Sequence, residues 1–478
     1  MTTSYDLFDD EIPTPKRKIV KKKGKLASSL SETSPPSRAR GPAMYSERPA
    51  GSRTAPLTLN AGQREAFDRL HAVDTNVFLT GAAGSGKSHL VREFLKSQDK
   101  QKFPVIASTG AAAILVGGRT FHSFFGLGIM EGGYQETVDR AVKHWVVSRR
   151  LKEIHGVIID EISMISGIAL RAAEEISRLA RSCGDRPWGG LKVIVVGDFS
   201  QLPPVNRMGQ PRDWAFLDPV WSESGFVTTS LSEPMRTQDP EFLTILNRIR
   251  TGIVDADVQK FLASRTLSFE AKKSAADNTR AQVTTRLFPR RDRVDAYNLA
   301  CLEKLDGPIF TQQTSYFSAD PKRLEDIKRN APVGETLTLK EGALVMLRQN
   351  DPEQRFVNGS LGIVRDMKPT CLSIELLSGI DVEIEPTSFS LLDGDGKEQA
   401  SARNFPVNLA YACTIHKAQG MTLDRMRVDL AGAWEHGQAY VALSRVRTGK
   451  SLELDGWSPR SIVIDSAVTG FYGRTGIE

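Results

Sequence analysis

The chain has 478 residues, room for roughly three to four compact domains at ~100–200 residues each, and its 40% hydrophobic and 25% charged content is that of an ordinary globular protein. No apolar run reaches the roughly 18 residues of a membrane span, and the N-terminus lacks the apolar core of a secretory signal, so neither a membrane protein nor a secreted one is expected. The net charge of +6 is uneven: residues 1–55 carry 11 Lys/Arg against 6 Asp/Glu, a net of +5, which leaves +1 for the rest and describes a basic tail on a near-neutral body, not by itself a nucleic-acid-binding core.

In chain order, residues 1–55 are rich in Lys, Ser, Pro and Arg and poor in large apolar side chains. Such a segment buries too little surface to offset its ordering entropy, so a disordered tail is expected. It holds an acidic-apolar patch, YDLFDDEIP (Tyr5–Pro13), and a basic run (Lys16–Lys25). The run reads as a solvated linker, a non-specific phosphate contact or a nuclear import signal. From Leu57 short apolar runs alternate with helical patterns: VFLTG, FPVIAST, GVIIDE and LKVIVVGD. That alternation predicts a parallel sheet with crossover helices. Residues 335–392 read differently, as short strands split by Gly, Asn and Pro with no long helix. They suggest a small β-barrel inserted into a second α/β unit, which resumes with FPVNLAYACTIHKAQG. The four cysteines, Cys183, Cys301, Cys371 and Cys413, form no CxxC pair, so neither a zinc site nor a disulfide framework is expected.

The sharpest chemical signal is GAAGSGKS, comprising Gly81, Ala82, Ala83, Gly84, Ser85, Gly86, Lys87 and Ser88. It fits GxxxxGK[ST] between an apolar strand and a helical stretch, the context a P-loop needs. Its backbone N–H groups and the helix N-terminus suit phosphate oxygens. Lys87 is placed to reach the β- and γ-phosphates and Ser88 to hold Mg²⁺. VIIDEIS supplies the other half: Asp160 at a strand end for Mg²⁺ beside Ser88, and Glu161 to polarise the attacking water. In VIVVGDFSQLPPV, Gln201 is either a γ-phosphate sensor or part of a plain strand-end turn.

Several further strings occur in the order of a known family. LNAGQREAF, STGAAA, TFHSFFG, DEISM, PWGG, GDFSQLPPV, PMRT, RFVNGSLGIV, TIHKAQGMTL and AYVALSRVRT together resemble superfamily 1 DNA helicases of the 5′-to-3′ branch. The resemblance is strongest to the PIF (petite integration frequency) family and phage Dda-type helicases, and it covers about residues 57–455. It implies that Gln63 reads adenine, that Arg236 and Arg445 act as arginine fingers, and that His416 and Gln419 belong to the late motifs. It further implies single-strand contacts from Thr109, Gly110, Thr120 and His122 in one motor and from Thr414, His416 and Lys417 in the other. His122 reads alternatively as a buried capping residue and His416 as a structural hydrogen bond between motifs. Phe121, Phe124 and Phe125 read as core before base-stacking. At 126–150 the family carries a small pin-bearing insertion; EGGYQ (Glu131–Gln135) reads as a turn, either its tip or a plain surface loop.

The resulting expectation is an α/β fold of two RecA-like P-loop motor domains with a small inserted β-barrel and a disordered N-terminal tail. Its parts are the tail 1–55, the first motor 56–230, the second motor 231–334 with 400–478, and the barrel 335–399. The expected function is an ATP- and Mg²⁺-dependent helicase moving 5′ to 3′ on single-stranded DNA and opening forked duplexes, in replication, recombination or repair. The alternatives are a DNA-stimulated ATPase that remodels or recruits without unwinding, and a RecD-like motor serving a nuclease complex. A monomer is expected, in the cytoplasm of a bacterial or phage-infected cell or else in a nucleus. A single-strand-binding protein or another replication protein is the candidate partner of the tail.

Overall fold

The computed structural model describes residues 59–476, apart from 73–74, 100, 110–111, 114–118, 129, 131–132, 206–210, 269–283, 291, 352, 354, 357 and 393–397. The basic tail and Gly110 lie outside the described residues.

The apolar runs of the first half become β1 (Val77–Gly81), β2 (Val105–Ala107), β3 (Arg119–Thr120), β4 (Gly156–Asp160), β5 (Lys192–Val196) and β6 (Val227–Leu231). They form one sheet in the order β3-β2-β4-β5-β1-β6, parallel throughout. Successive side chains of a strand point to opposite faces, and here each face has its own core. Phe78, Ile159 and Val195 enter a core with Phe124, Ile176 and Trp214. Their neighbours Leu79, Ile158 and Val196 enter another with Leu70, Leu90 and Phe94. This is why the strands read as unbroken apolar runs: helices cover both sides.

The second half opens with β7 (Thr285–Phe288). Then come β8 (Phe310–Gln313), β9 (Ser315–Ser318), β10 (Thr336–Leu339), β11 (Leu344–Leu347), β12 (Leu361–Lys368), β13 (Cys371–Leu376), β14 (Asp381–Ile384), β15 (Thr387–Leu392), β16 (Glu398–Asn404) and β17 (Val407–Leu409). It ends with β18 (Ala412–Thr414), β19 (Met426–Asp429) and β20 (Leu452–Gly456). β18, β7, β19 and β20 pair in that order, all parallel, as a second α/β sheet.

The strands between do not close as expected. Among the described residues no sheet forms a barrel: β14-β13-β12-β11-β17 is an open antiparallel sheet, with β15-β16-β9 and β10-β8 as separate small sheets. The cause lies in the connectivity. After β14 the chain leaves to pair β15 with β16, and β16 pairs with β9, so β14 keeps a free edge opposite β17. Of the turn expected at 131–135, Glu131 and Gly132 lie outside the described residues, and Tyr134 and Gln135 instead lie in the helix Gly133–Lys143, which with Trp145–Glu153 packs Val138, Ala141 and Val147 into the first core. Phe121, Phe124 and Phe125 are completely buried there.

The last helix, Ser466–Thr475, crosses back from the second sheet. Its Val468, Phe471 and Tyr472 join the first core.

Candidate functional site

The loop after β1 has the backbone its glycines allow. Gly81, Gly84 and Gly86 all have positive φ, at 142°, 83° and 93°, where a side chain is strained. Gly84 also leaves room for a neighbour: a Cβ there would stand 2.5 Å from Arg236 Cβ. The Gly84 carbonyl accepts from the backbone N–H of Met235 at 2.8 Å and of Arg236 at 3.1 Å. Lys87 opens the helix Lys87–Lys96 and folds back over the loop, donating to the Gly81 carbonyl at 2.7 Å and the Ala82 carbonyl at 3.1 Å. Burial lowers its pKa, against the pull of Asp198, Glu161 and Asp160.

Two buried polar atoms lining this loop have no hydrogen-bond partner among the described residues: Ser85 Oγ and Gln63 Nε2. Gln63 sits in the first turn of Ala61–His71 and closes a capping box with Asn60 through its carbonyl oxygen. Its amide nitrogen is left aimed at Gly86, 2.9 Å from where a Cβ would be. Orphaned buried donors are costly, and a nucleotide, with acceptors on both phosphate and base, suits both.

Asp160 ends β4, and its carboxylate accepts the N–H of Glu161 at 2.9 Å. Glu161 itself adopts a left-handed conformation, φ 55° and ψ 50°, an uncommon and strained state for a non-glycine residue. Burial, and then the Asp160 charge, push its carboxyl up to about 7, although Lys87 and Arg445 oppose this. Gln201 lies buried in the turn after β5, its N–H bonded to the Asp198 carbonyl at 2.9 Å.

The segments after β6 supply cations and amides. Arg236 Nη1 donates to the Ser444 carbonyl at 2.7 Å. Arg445 Nη2 donates to the Ser444 hydroxyl at 2.6 Å, and its Nε to the Val441 carbonyl at 2.6 Å. Arg445 is buried and Arg236 half-buried, and neither is within ion-pair distance of a carboxylate among the described residues. Burial, followed by repulsion from Arg236, brings Arg445 down to about 9. The Tyr440 hydroxyl accepts the Ala83 N–H of the P-loop at 2.8 Å.

Lys87, Asp160, Glu161, Gln201, Arg236, Arg445 and Gln63 thus gather around the P-loop, while Ser88, next to Lys87, is exposed. Sequence reading missed Asp198, Arg250, His436, Tyr440 and Tyr472. Asp198 is completely buried and ion-paired with Arg250 at 3.1 Å. The Tyr472 hydroxyl donates to Asp198 at 3.1 Å and accepts the Phe199 N–H at 2.9 Å. A charged residue closing an apolar strand was the one available signal for Asp198, and a Gly-Asp turn imitates it.

The expected DNA-contacting groups fall elsewhere. Thr120 and Thr414 play matching parts in the two sheets: each ends a strand and caps the short helix after it, accepting from Ser123 and Lys417 N–H at 3.2 and 3.1 Å. Thr109 accepts from the Ala112 N–H at 3.2 Å. Capping uses the acceptor of each hydroxyl and leaves its proton for another oxygen. His122 is half-buried, while His416 and Lys417 are exposed. The PWGG turn is structural: Trp188, at φ 57°, is buried and donates its indole N–H to Ser224 at 2.8 Å.

A P-loop facing an acidic pair, with Arg236 from the segment after β6 and the buried Arg445 from the second parallel sheet, defines a P-loop nucleoside triphosphatase of the two-sheet type. The sequence profile of the PIF1-like helicases matches residues 58–260. The ATP-dependent DNA helicase Pif1 of Bdellovibrio bacteriovorus is 47% identical over 416 residues, 87% of this chain and 92% of that protein. Bacteroides sp. Pif1 in complex with ADP-AlF4 superposes with a TM-score of 0.73 at 27% identity, covering 88% of this chain and 98% of that one. Bacteroides Pif1 in complex with ADP-AlF3 and single-stranded DNA gives 0.59 at 26%, covering 88% and 97%. The chain belongs to the PIF1-like helicase family.

Proposed function

We propose that this chain is an ATP-dependent DNA helicase that moves 5′ to 3′ along single-stranded DNA and opens forked duplexes. Each parallel sheet acts as the core of one RecA-like motor, with ATP in the cleft between them. The observation that carries this reading is the meeting of Arg236 and the buried Arg445 at Ser444, beside the P-loop, with no carboxylate in ion-pair distance of either among the described residues. A buried cation lacking a counter-ion is expensive, and a nucleotide phosphate would supply one.

On binding, Lys87 exchanges its two carbonyl acceptors for phosphate oxygens, and Ser85 and Gln63 find partners on the phosphates and the base. Ser88 and Asp160 form a hard oxygen donor set suited to Mg²⁺, which when bound neutralises phosphate charge. Glu161 orients and deprotonates water, with Gln201 and Gln419 beside it. Arg236 and Arg445 pair with phosphate oxygens that are within reach only when the cleft is closed. This differential affinity is what moves one motor against the other.

The hydroxyl protons of Thr109, Thr120 and Thr414, with His122, His416 and Lys417, grip the strand through its phosphates, without reading sequence.

Duplexes with only a 5′ or only a 3′ single-stranded tail test the reading, with ATPase measured alongside. Unwinding of the 5′-tailed duplex alone is expected. Unwinding only from 3′ tails would reverse the polarity, and DNA-stimulated ATPase with no strand displacement would favour a remodelling factor.

A further inference from the structure

Asp198 follows Gly197 just beyond β5, and it is completely buried. Burial alone would push its pKa up, yet Arg250 holds it below the usual carboxylate range. The pair is two-point: Arg250 Nη2 to Oδ1 at 3.1 Å and Nε to Oδ2 at 3.2 Å. Arg250 also lies 4.9 Å over the ring of Tyr472, whose hydroxyl donates to the same carboxylate.

The two partners belong to different halves. Arg250 ends the helix Pro240–Arg250, which packs Phe242, Ile245 and Ile249 into the second core. Phe199, next to Asp198, and Tyr472 sit in the first. The ion pair therefore spans the junction of the two motors.

Lys87 is the other cation that acts on Asp198, and Asp198 is the strongest of the charges acting on Lys87, ahead of Glu161 and Asp160. Even so, the Lys87 amine bonds carbonyl oxygens of its own loop and forms no ion pair among the described residues.

We propose that Arg250 is a positioning residue for nucleotide binding: by occupying Asp198 across the motor junction, it keeps that carboxylate off Lys87 and leaves the lysine for phosphate. A buried carboxylate deprived of its partner recruits whatever cation remains, and here that is Lys87. Separation of the motors, which withdraws Arg250, thus lowers nucleotide affinity. By linkage, bound nucleotide favours the closed junction to the same extent. The inference rests on the assignment of Lys87 to phosphate binding.

The test is equilibrium binding of Mg·ADP to the full-length protein without DNA, by titration calorimetry, with thermal melting as the check on folding. Arg250→Gln is expected to weaken binding roughly tenfold, within the usual range of coupling between sites. Adding Asp198→Asn removes the competing carboxylate and is expected to bring affinity back to within about threefold of the parent. Wild-type affinity in Arg250→Gln, or a double variant as weak as the single one, overturns the proposal. Should Arg250→Gln fail to fold, Arg250→Lys, which keeps the charge but loses the two-point grip, takes its place; the proposal then requires weakened binding, and unchanged binding overturns it. Lys87→Ala separates the two levels. If it binds Mg·ADP normally, the assignment of Lys87 fails; if it binds weakly while the Arg250 variants bind normally, only the role of Arg250 fails.

Discussion

The side-chain amide of Gln419 donates to the Glu161 carboxylate at 3.2 Å. Gln419 follows the short helix after β18 in the second sheet, and Glu161 follows β4 in the first. The group assigned to activate water is therefore held by the opposite motor, so its readiness depends on how the motors meet.

Lys87 and Glu161 should fail differently when replaced. Lys87→Ala is expected to abolish ATP hydrolysis, whereas Glu161→Gln should bind ATP and hold it without turnover. Single-turnover hydrolysis with and without single-stranded DNA distinguishes them. Wild-type DNA-stimulated hydrolysis in Glu161→Gln would remove the base from the scheme.

The same carboxylate sets an acid limb. Glu161 is pushed up to about 7 in the free protein, and a base must be unprotonated to act. Because kcat/KM reports the free enzyme, it should fall about tenfold per pH unit below that value. A profile that stays flat between about pH 6 and pH 8 at saturating DNA contradicts the assignment.

Arg445→Ala and Arg236→Ala should each cut hydrolysis by about 10³–10⁵, the scale of arginine fingers in phosphoryl transfer. Nucleotide binding should weaken modestly and DNA binding persist. Near-wild-type turnover in both variants would mean that the two arginines are structural.

His436 should make stability depend on pH. It accepts the Asp465 N–H on Nδ1 at 2.8 Å, so its Nε2 carries the proton donated to the Phe199 carbonyl at 2.8 Å. Burial lowers its pKa to about 4, against about 6.5 in an unfolded chain. Between those values the unfolded chain binds a proton that the folded one refuses. Full stability is therefore present above about 6.5 and is lost as the pH falls towards 4, by up to ~3 kcal/mol in total. His436→Gln should flatten that slope in melting curves between about pH 4.5 and 7. An unchanged slope would show that other groups produce it.

Gly437 permits the close approach of the two motors. Its φ is 69°, and a Cβ there would stand 2.5 Å from the carbonyl oxygens of Ser200 and Gln201. Gly437→Ala should cost about 2–4 kcal/mol in left-handed strain and overpacking, read as a lower melting temperature and weaker nucleotide binding. A variant that melts and binds like the parent would show that the junction is looser than its geometry.

Much of the nucleotide site was legible because its chemistry is local. Gly81–Ser88 must combine left-handed glycines with a lysine and a hydroxyl at fixed spacing, and Asp160 and Glu161 must close a buried strand. The family resemblance added Gln63, Arg236 and Arg445, which no spacing reveals. The inserted strands were recognisable as β-structure, but their failure to close into a barrel was not. Whether β14 meets an edge depends on where β15 and β16 go, and alternation within a strand carries no record of its neighbour.

The sequence by itself determined that an apolar strand would end in a phosphate-binding loop, because backbone amides can surround phosphate only where glycine permits the required torsions. Only the tertiary structure decided that Asp198 belongs to Arg250 and not to Lys87, that Gln419 reaches Glu161, and that the last helix returns Tyr472 to the first core. These pairings join segments far apart in the chain. A buried ion pair or hydrogen bond needs only complementary groups at the right place in space, and such a pairing leaves no period, spacing or composition in the sequence to announce it.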